Sequence, residues 1–135
     1  MGVKPYLSRV SIMEAQDEDA DILTGISFRA KHHWKYPDNY YDIWKNELTI
    51  TADYIRENLV YKTLLDDAVV GFYSIVENNK DFYSGEVFVK KGFWLEHIFI
   101  IPEYHKNGIG RLMVNHAKMM SKNKGIPTLL IFSDP

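Results

Sequence analysis

The sequence predicts an α+β fold, a mixed and mostly antiparallel twisted sheet flanked by helices. Three observations lead there. Apolar residues recur at helical spacing up to about residue 58 and in near-continuous runs after it. Residues 59–65 and 68–76 are separated by the turn pair Asp66 and Asp67. Finally, residues 93–101, a glycine-initiated helix and residues 128–132 form a strand–helix–strand unit, which makes its two strands parallel. With 135 residues, 46% of them hydrophobic, the chain buries roughly two thirds of its unfolded surface and forms one domain.

Residues 7–13 read as a first strand. Asp17 and Asp19 offer caps to a helix in which Ile22, Leu23, Ile26 and Ala30 share a face, with Gly25 costing about 1 kcal/mol against Ala. That helix is expected to end near Trp34, before Pro37. Tyr40, Ile43, Trp44 and Leu48 return to helical spacing, and Thr51 caps a short helix containing Ile55. Residues 68–76 are apolar almost throughout, as suits a strand covered on both faces. Residues 86–90 and 93–101 are expected to pair across Lys91 and Gly92, with Pro102 ending the pairing. Gly108 and Gly110 open a helix with Ile109, Leu112, Met113, His116, Ala117 and Met120 on one side, Gly125 stops it, and residues 128–132 form a last, buried strand.

The net charge of −2 argues against general nucleic-acid binding and against an anionic membrane surface. The sequence has no Cys, which excludes thiol nucleophiles, Cys-based zinc sites and disulfides and fits a cytoplasmic location. Uncharged runs reach about nine residues against the roughly 20 a membrane helix needs, so no membrane association is expected. The N-terminus lacks the apolar core of a signal peptide, and Tyr6 stands where a myristoylation site places Ser or Thr. His32 and His33 are adjacent, and His97, His105 and His116 lack a partner at i+4, so no metal site is expected; no Gly-x-Ser-x-Gly is present either.

The chemistry concentrates in residues 94–113. A strand runs through a short loop into a helix whose first turn holds two glycines, so backbone N–H groups are left pointing outward and a ligand can approach closely. That geometry binds phosphate. Between Pro102 and Gly125, Lys106, Arg111, Lys118, Lys122 and Lys124 face one carboxylate, Glu103. The competing reading is a helix that uses glycine only for packing. Dinucleotide and triphosphate loops fit poorly: Met113 replaces the third glycine of Gly-x-Gly-x-x-Gly, and no Gly-Lys-Ser/Thr follows.

Ile98, Phe99, Ile100, Ile101, Pro102, Tyr104 and the run His105-Lys106-Asn107-Gly108-Ile109-Gly110 resemble the signature of the GNAT superfamily of N-acetyltransferases. In that family an apolar strand, Pro and an aromatic precede Arg/Gln-x-x-Gly-x-Gly/Ala at a helix start. Residues 27–36 followed by the aromatic helix, and Val69-Val70-Gly71-Phe72-Tyr73, look like the family's opening helices and third strand, so the resemblance spans essentially the whole chain. It implies a GNAT-like acyl-CoA N-acyltransferase fold and acetyl-CoA as cosubstrate. It further implies that Ile98, Phe99, Ile100 and Ile101 splay from the following strand and receive the pantetheine arm. His105, Lys106, Asn107, Gly108, Ile109, Gly110 and Arg111 would hold the pyrophosphate. Trp34 and Tyr36 would line the mouth for an amine acceptor, a small molecule or a protein. His105 departs from the usual Arg or Gln. The sequence also stops at Pro135, where the family continues through a helix and two strands, so the domain is expected to be C-terminally truncated. The family's frequent thiolate-protonating Tyr is then missing, and a homodimer or higher oligomer through the exposed last strand is expected.

The acceptor ammonium has a pKa near 10 and must lose a proton, so a base is needed. Glu96 is the candidate, because it is the carboxylate of its strand and alternation places it on one face with Ile98 and Ile100. His97 points the other way and reads as structural. Two rivals stay open at this stage, a CoA-binding pseudoenzyme or regulatory module without turnover, and a purely structural interaction domain.

Overall fold

The computed structural model describes residues 8–32, 45, 46, 48–104 and 108–131. Strands β1 (Val10–Glu14), β2 (Leu59–Leu65), β3 (Ala68–Asn78), β6 (Gly92–Ile100) and β7 (Leu129–Ile131) form one sheet in the order β1-β2-β3-β6-β7. The first four are antiparallel neighbours, and β6 and β7 are parallel. The mixed, mostly antiparallel sheet is therefore as the sequence predicts.

Helices α1 (Ala20–His32) and α2 (Ala52–Glu57) cover one face. On it Leu23, Ile26, Ile55, Val60 and Phe72 form a buried cluster. Helix α3 (Ile109–Asn123) covers the other, where Val70, Tyr73, Ile75, Leu95, Ile109, Met113 and Ala117 are buried together. Ile109, Met113, Ala117 and Ser121 recur every four residues, so one stripe of α3 lies wholly against the sheet.

Local chemistry explains the element ends. Thr51 accepts the Tyr54 N–H at 3.0 Å and starts α2. Asp66 takes a left-handed conformation, φ 55°, to close the β2–β3 turn. Gly125, φ 76°, ends α3 and lets the Ile126 N–H reach Ser121 O at 2.9 Å. Before α1 the Asp19 carboxylate accepts the Gln16 N–H at 2.7 Å and pairs with Lys62 at 2.9 Å.

Several expectations are corrected. The first strand begins at Val10 and reaches Glu14. Ile22 is exposed, and Ser27 takes its place on the buried face of α1, its hydroxyl bonded to Leu23 O at 3.2 Å. Residues 86–90 do not pair with β6. Instead β4 (Phe82–Ser84) and β5 (Val87–Val89) form a separate hairpin closed at Gly85, φ 63°. The long β3 occupies that edge of β6 as far as Asn78, so β5 has no place there. The last strand is half-buried, with Ile131 54% exposed, because it is the edge of the described sheet. The expected end of α1 near Trp34 and the helix built on Tyr40, Ile43 and Trp44 lie outside the described residues.

Candidate active site

Strand β6 and the first turn of α3 assemble the site. From Asn78 to Ile75, β3 pairs in step with β6 from Gly92 to Leu95, but Ser74 then faces His97. Glu96 is the extra residue of a β-bulge. This corrects the simple alternation: Leu95, Ile98 and Ile100 all pack toward α3, whereas Glu96 lies beside the Tyr54 hydroxyl, on the α1/α2 face. One inserted residue moves the carboxylate off the face of Ile98 and Ile100. Glu96 itself is exposed.

Past the Tyr54 hydroxyl, polar side chains from three elements meet one another. The Tyr54 hydroxyl of α2 lies 2.9 Å from Ser74 Oγ and 3.1 Å from His97 Nδ1, and Ser74 Oγ lies 2.8 Å from His97 Nδ1. Ser74 and His97 are buried. Phe72 and Phe99 stand beside the imidazole with ring centroids 6.0 and 5.8 Å away. Burial raises the Tyr54 pKa well above its usual value, and the nearby Glu96 charge raises it further, so this hydroxyl keeps its proton at every physiological pH. Tyr54 and Ser74 escape sequence reasoning because they lie 43 and 23 residues from His97. The one available signal was Leu95-Glu96-His97-Ile98, two polar residues in succession between apolar ones.

Past Ile100 the strand ends; Ile101 is buried, and its N–H still bonds Val70 O at 2.9 Å. A single turn over Pro102–Tyr104 follows, held by Arg29 to Glu103 at 2.7 Å. Gly108 caps α3 at φ 89°, a conformation that favours glycine. The first turn of α3 contains no acidic residue, and its leading N–H groups have no acceptor within the helix. The Ile109 side chain is fully buried and Arg111 is exposed, so Ile109 has only its backbone to offer a ligand. A Cβ on Gly110 would lie 3.3 Å from Ile100 Cδ1; this glycine also serves the packing of α3 on β6. The packing and ligand readings of the two glycines thus hold together.

The described pairing of β6 with β7 covers Phe93 to Leu95, and β6 continues five residues beyond it. Phe99 packs toward α1 and α2. His105, Lys106 and Asn107, like Trp34 and Tyr36, lie outside the described residues. Among the described residues no cluster of His, Asp or Glu could hold a metal ion, and no helix is long and apolar enough to cross a membrane.

Comparison with known proteins places this arrangement. The family description "Acetyltransferase (GNAT) family" matches residues 21–134. No curated protein matches at a significant level. Among solved structures, the PaiA N-acetyltransferase of Thermoplasma acidophilum in complex with coenzyme A superposes with a TM-score of 0.70 at 19% identity, over 92% of this chain and 79% of that one. A GCN5-related N-acetyltransferase from Ralstonia eutropha gives 0.68 at 10% identity, covering 92% and 83%. A GNAT family acetyltransferase from Brucella melitensis in complex with acetyl-CoA gives 0.64 at 15%, covering 93% and 77%.

Proposed function

Since this chain belongs to the GNAT family of N-acetyltransferases, we propose that it transfers acetyl from acetyl-CoA to a primary amine of a small molecule or protein, with Glu96 as general base. The observation that carries this reading is the double use of β6, which holds a bulged carboxylate at its midpoint and leads beyond its end, through a turn, to a glycine-initiated helix.

Acetyl-CoA, when bound, supplies the thioester electrophile. The leading N–H groups at the start of α3 suit its pyrophosphate, since they combine a positive helix end with a first turn free of carboxylates. In this reading Gly108, Ile109, Gly110 and Arg111 hold the pyrophosphate together with His105, Lys106 and Asn107. The backbone of Ile98, Phe99, Ile100 and Ile101 lines the pantetheine arm, and Trp34 and Tyr36 border the acceptor. Glu96 removes a proton from the acceptor ammonium and so frees the nitrogen lone pair for the acyl carbon. A base of this kind is worth about 10²–10⁴ in rate. The absence of Cys supports a cytoplasmic location. The edge position of β7, with Ile131 exposed, supports self-association through that strand, which sedimentation equilibrium tests.

The function itself is tested by calorimetry with acetyl-CoA followed by thiol release with a panel of primary amines. Binding and amine-dependent release of thiol are expected. Binding without release from any amine would favour a regulatory module, and no binding would overturn the reading.

A further inference from the structure

A β-bulge has no fixed address in a strand. The extra residue can stand one place earlier or later, and each placement turns different side chains over. Were Leu95 the extra residue, Glu96 would face Ile75 and turn toward α3, where Ile75 is buried. Were it His97, Glu96 would face Ser74, a fully buried residue, and the carboxylate would be drawn into the pairing. In the observed register Ile75 faces Leu95, Ser74 faces His97, and Glu96 is left between the two pairs, exposed.

The flanks of the bulge select this register in different ways. Leu95 and Ile75 are both buried in the α3 cluster, held by apolar burial that has no direction. The other flank is directional. Ser74 Oγ lies 2.8 Å from Nδ1 of the opposed His97, a contact that needs the two residues to face each other. The Tyr54 hydroxyl arrives from α2 and meets both, at 2.9 and 3.1 Å, with its ring edge-on to the imidazole at 5.7 Å. Because Ser74 and His97 are buried, a slip by one residue would strand both polar groups away from water.

We propose that Ser74, His97 and Tyr54 lock the register of β6 against β3 and so hold the bulge at Glu96. They are positioning residues for that carboxylate, and the inference rests on Glu96 being the base. The lock needs no contact with the carboxylate, since it acts through the backbone. His97 is the next residue along the chain, so fixing where it faces β3 fixes which residue before it is extra.

The test compares Ser74→Ala, Tyr54→Phe and their combination, each of which removes hydroxyls and adds no atom in their place. Two readouts are taken on the full chain. Without substrate, amide hydrogen exchange at Glu96 and His97 is expected to be about tenfold or more faster in the double variant, with the amides of β1 and β2 unchanged. With acetyl-CoA and the best amine of the panel, kcat is expected to fall about tenfold, since small misplacements of a reacting group are costly, and KM for acetyl-CoA to stay within about twofold. Ser74→Thr, which keeps the hydroxyl, is expected to retain most of the rate. In a Glu96→Gln background the same pair of substitutions is expected to change kcat by less than about twofold, because the carboxylate they position is gone.

An equal loss of kcat in both backgrounds would mean general damage and would overturn the lock. So would a double variant that keeps the full rate, or one whose amides at Glu96 and His97 exchange as slowly as before. These outcomes leave the base assignment standing as long as Glu96→Gln alone is impaired. A Glu96→Gln protein with an unchanged pH–rate profile would instead overturn the base reading, and the positioning role with it, whatever the exchange shows.

Discussion

The two faces of the sheet each carry a tyrosine–histidine pair, and the pairs differ in their surroundings. Beneath α3, the Tyr73 hydroxyl lies 2.7 Å from His116 Nδ1, and Tyr61 stacks on Tyr73 with centroids 5.2 Å apart. Beneath α1 and α2, Tyr54 contacts His97 at 3.1 Å, with Ser74 as a third partner and Glu96 alongside. Burial raises both tyrosine pKa values. The α3 pair borders the apolar core, and the nearest charge acting on its surroundings, Glu14, reaches Tyr61 rather than Tyr73 or His116. The other adjoins a bulge that delivers a charge to it. The same two residue types therefore lie within an apolar core on one face and near a strand carboxylate on the other, and one inserted strand residue makes the difference.

The most severe disturbance is damage to the strand pairing that both faces share. A Cβ at Gly71 would lie 2.6 Å from the backbone oxygen of Phe99. Gly71→Ala should therefore separate β3 from β6 and cost about 1–3 kcal/mol, read by chemical denaturation. Both pairs would be disturbed together.

A more selective cut is Tyr73→Phe, which leaves His116 Nδ1 without this partner. It should cost about 1–2 kcal/mol with the rate of the folded protein unchanged. The α3 pair also has a pH signature. Burial lowers the His116 pKa below its ordinary 6.5, so the unfolded chain binds the proton more readily than the folded one. The stability this gives is fully present above about pH 6.5 and is lost as pH falls through the lower folded value. Thermal melts between pH 7.5 and 5 should show that decline, and His116→Asn should flatten it.

The smallest effect calibrates the rest. Gly25 sits on the exposed side of α1, and a Cβ there would meet nothing within 4 Å, so Gly25→Ala should stabilise the protein by about 0.5–1 kcal/mol and alter neither pair. Denaturation midpoints check it.

Most of the fold was legible because it rests on local signals. Thr51 caps, Asp66 turns, Gly125 stops and the apolar runs are properties of neighbouring residues, and all appear where expected. The glycine-initiated helix was legible for the same reason. The hairpin of β4 and β5 was missed because choosing the partner of β6 depends on β3, a segment distant in sequence. Glu96 was found as a residue type in the right strand but assigned to the wrong face, since a period of two cannot register one inserted residue. Tyr54 and Ser74 were invisible as site residues. A hydroxyl in a short helix and another in an apolar strand acquire meaning only when folding brings them to His97.

If the bulge-borne Glu96 on the α1/α2 face is the base of acetyl transfer, its loss must show in the pH dependence of the rate. The most direct test is the pH–rate profile of thiol release from acetyl-CoA, with the best amine of the panel, for the unsubstituted protein and Glu96→Gln. The expected result is a deficit of about 10²-fold or more at neutral pH that narrows steadily toward pH 10, where the amine is already deprotonated. A Glu96→Gln profile that runs parallel to the unsubstituted one, or coincides with it, would contradict Glu96 as the base.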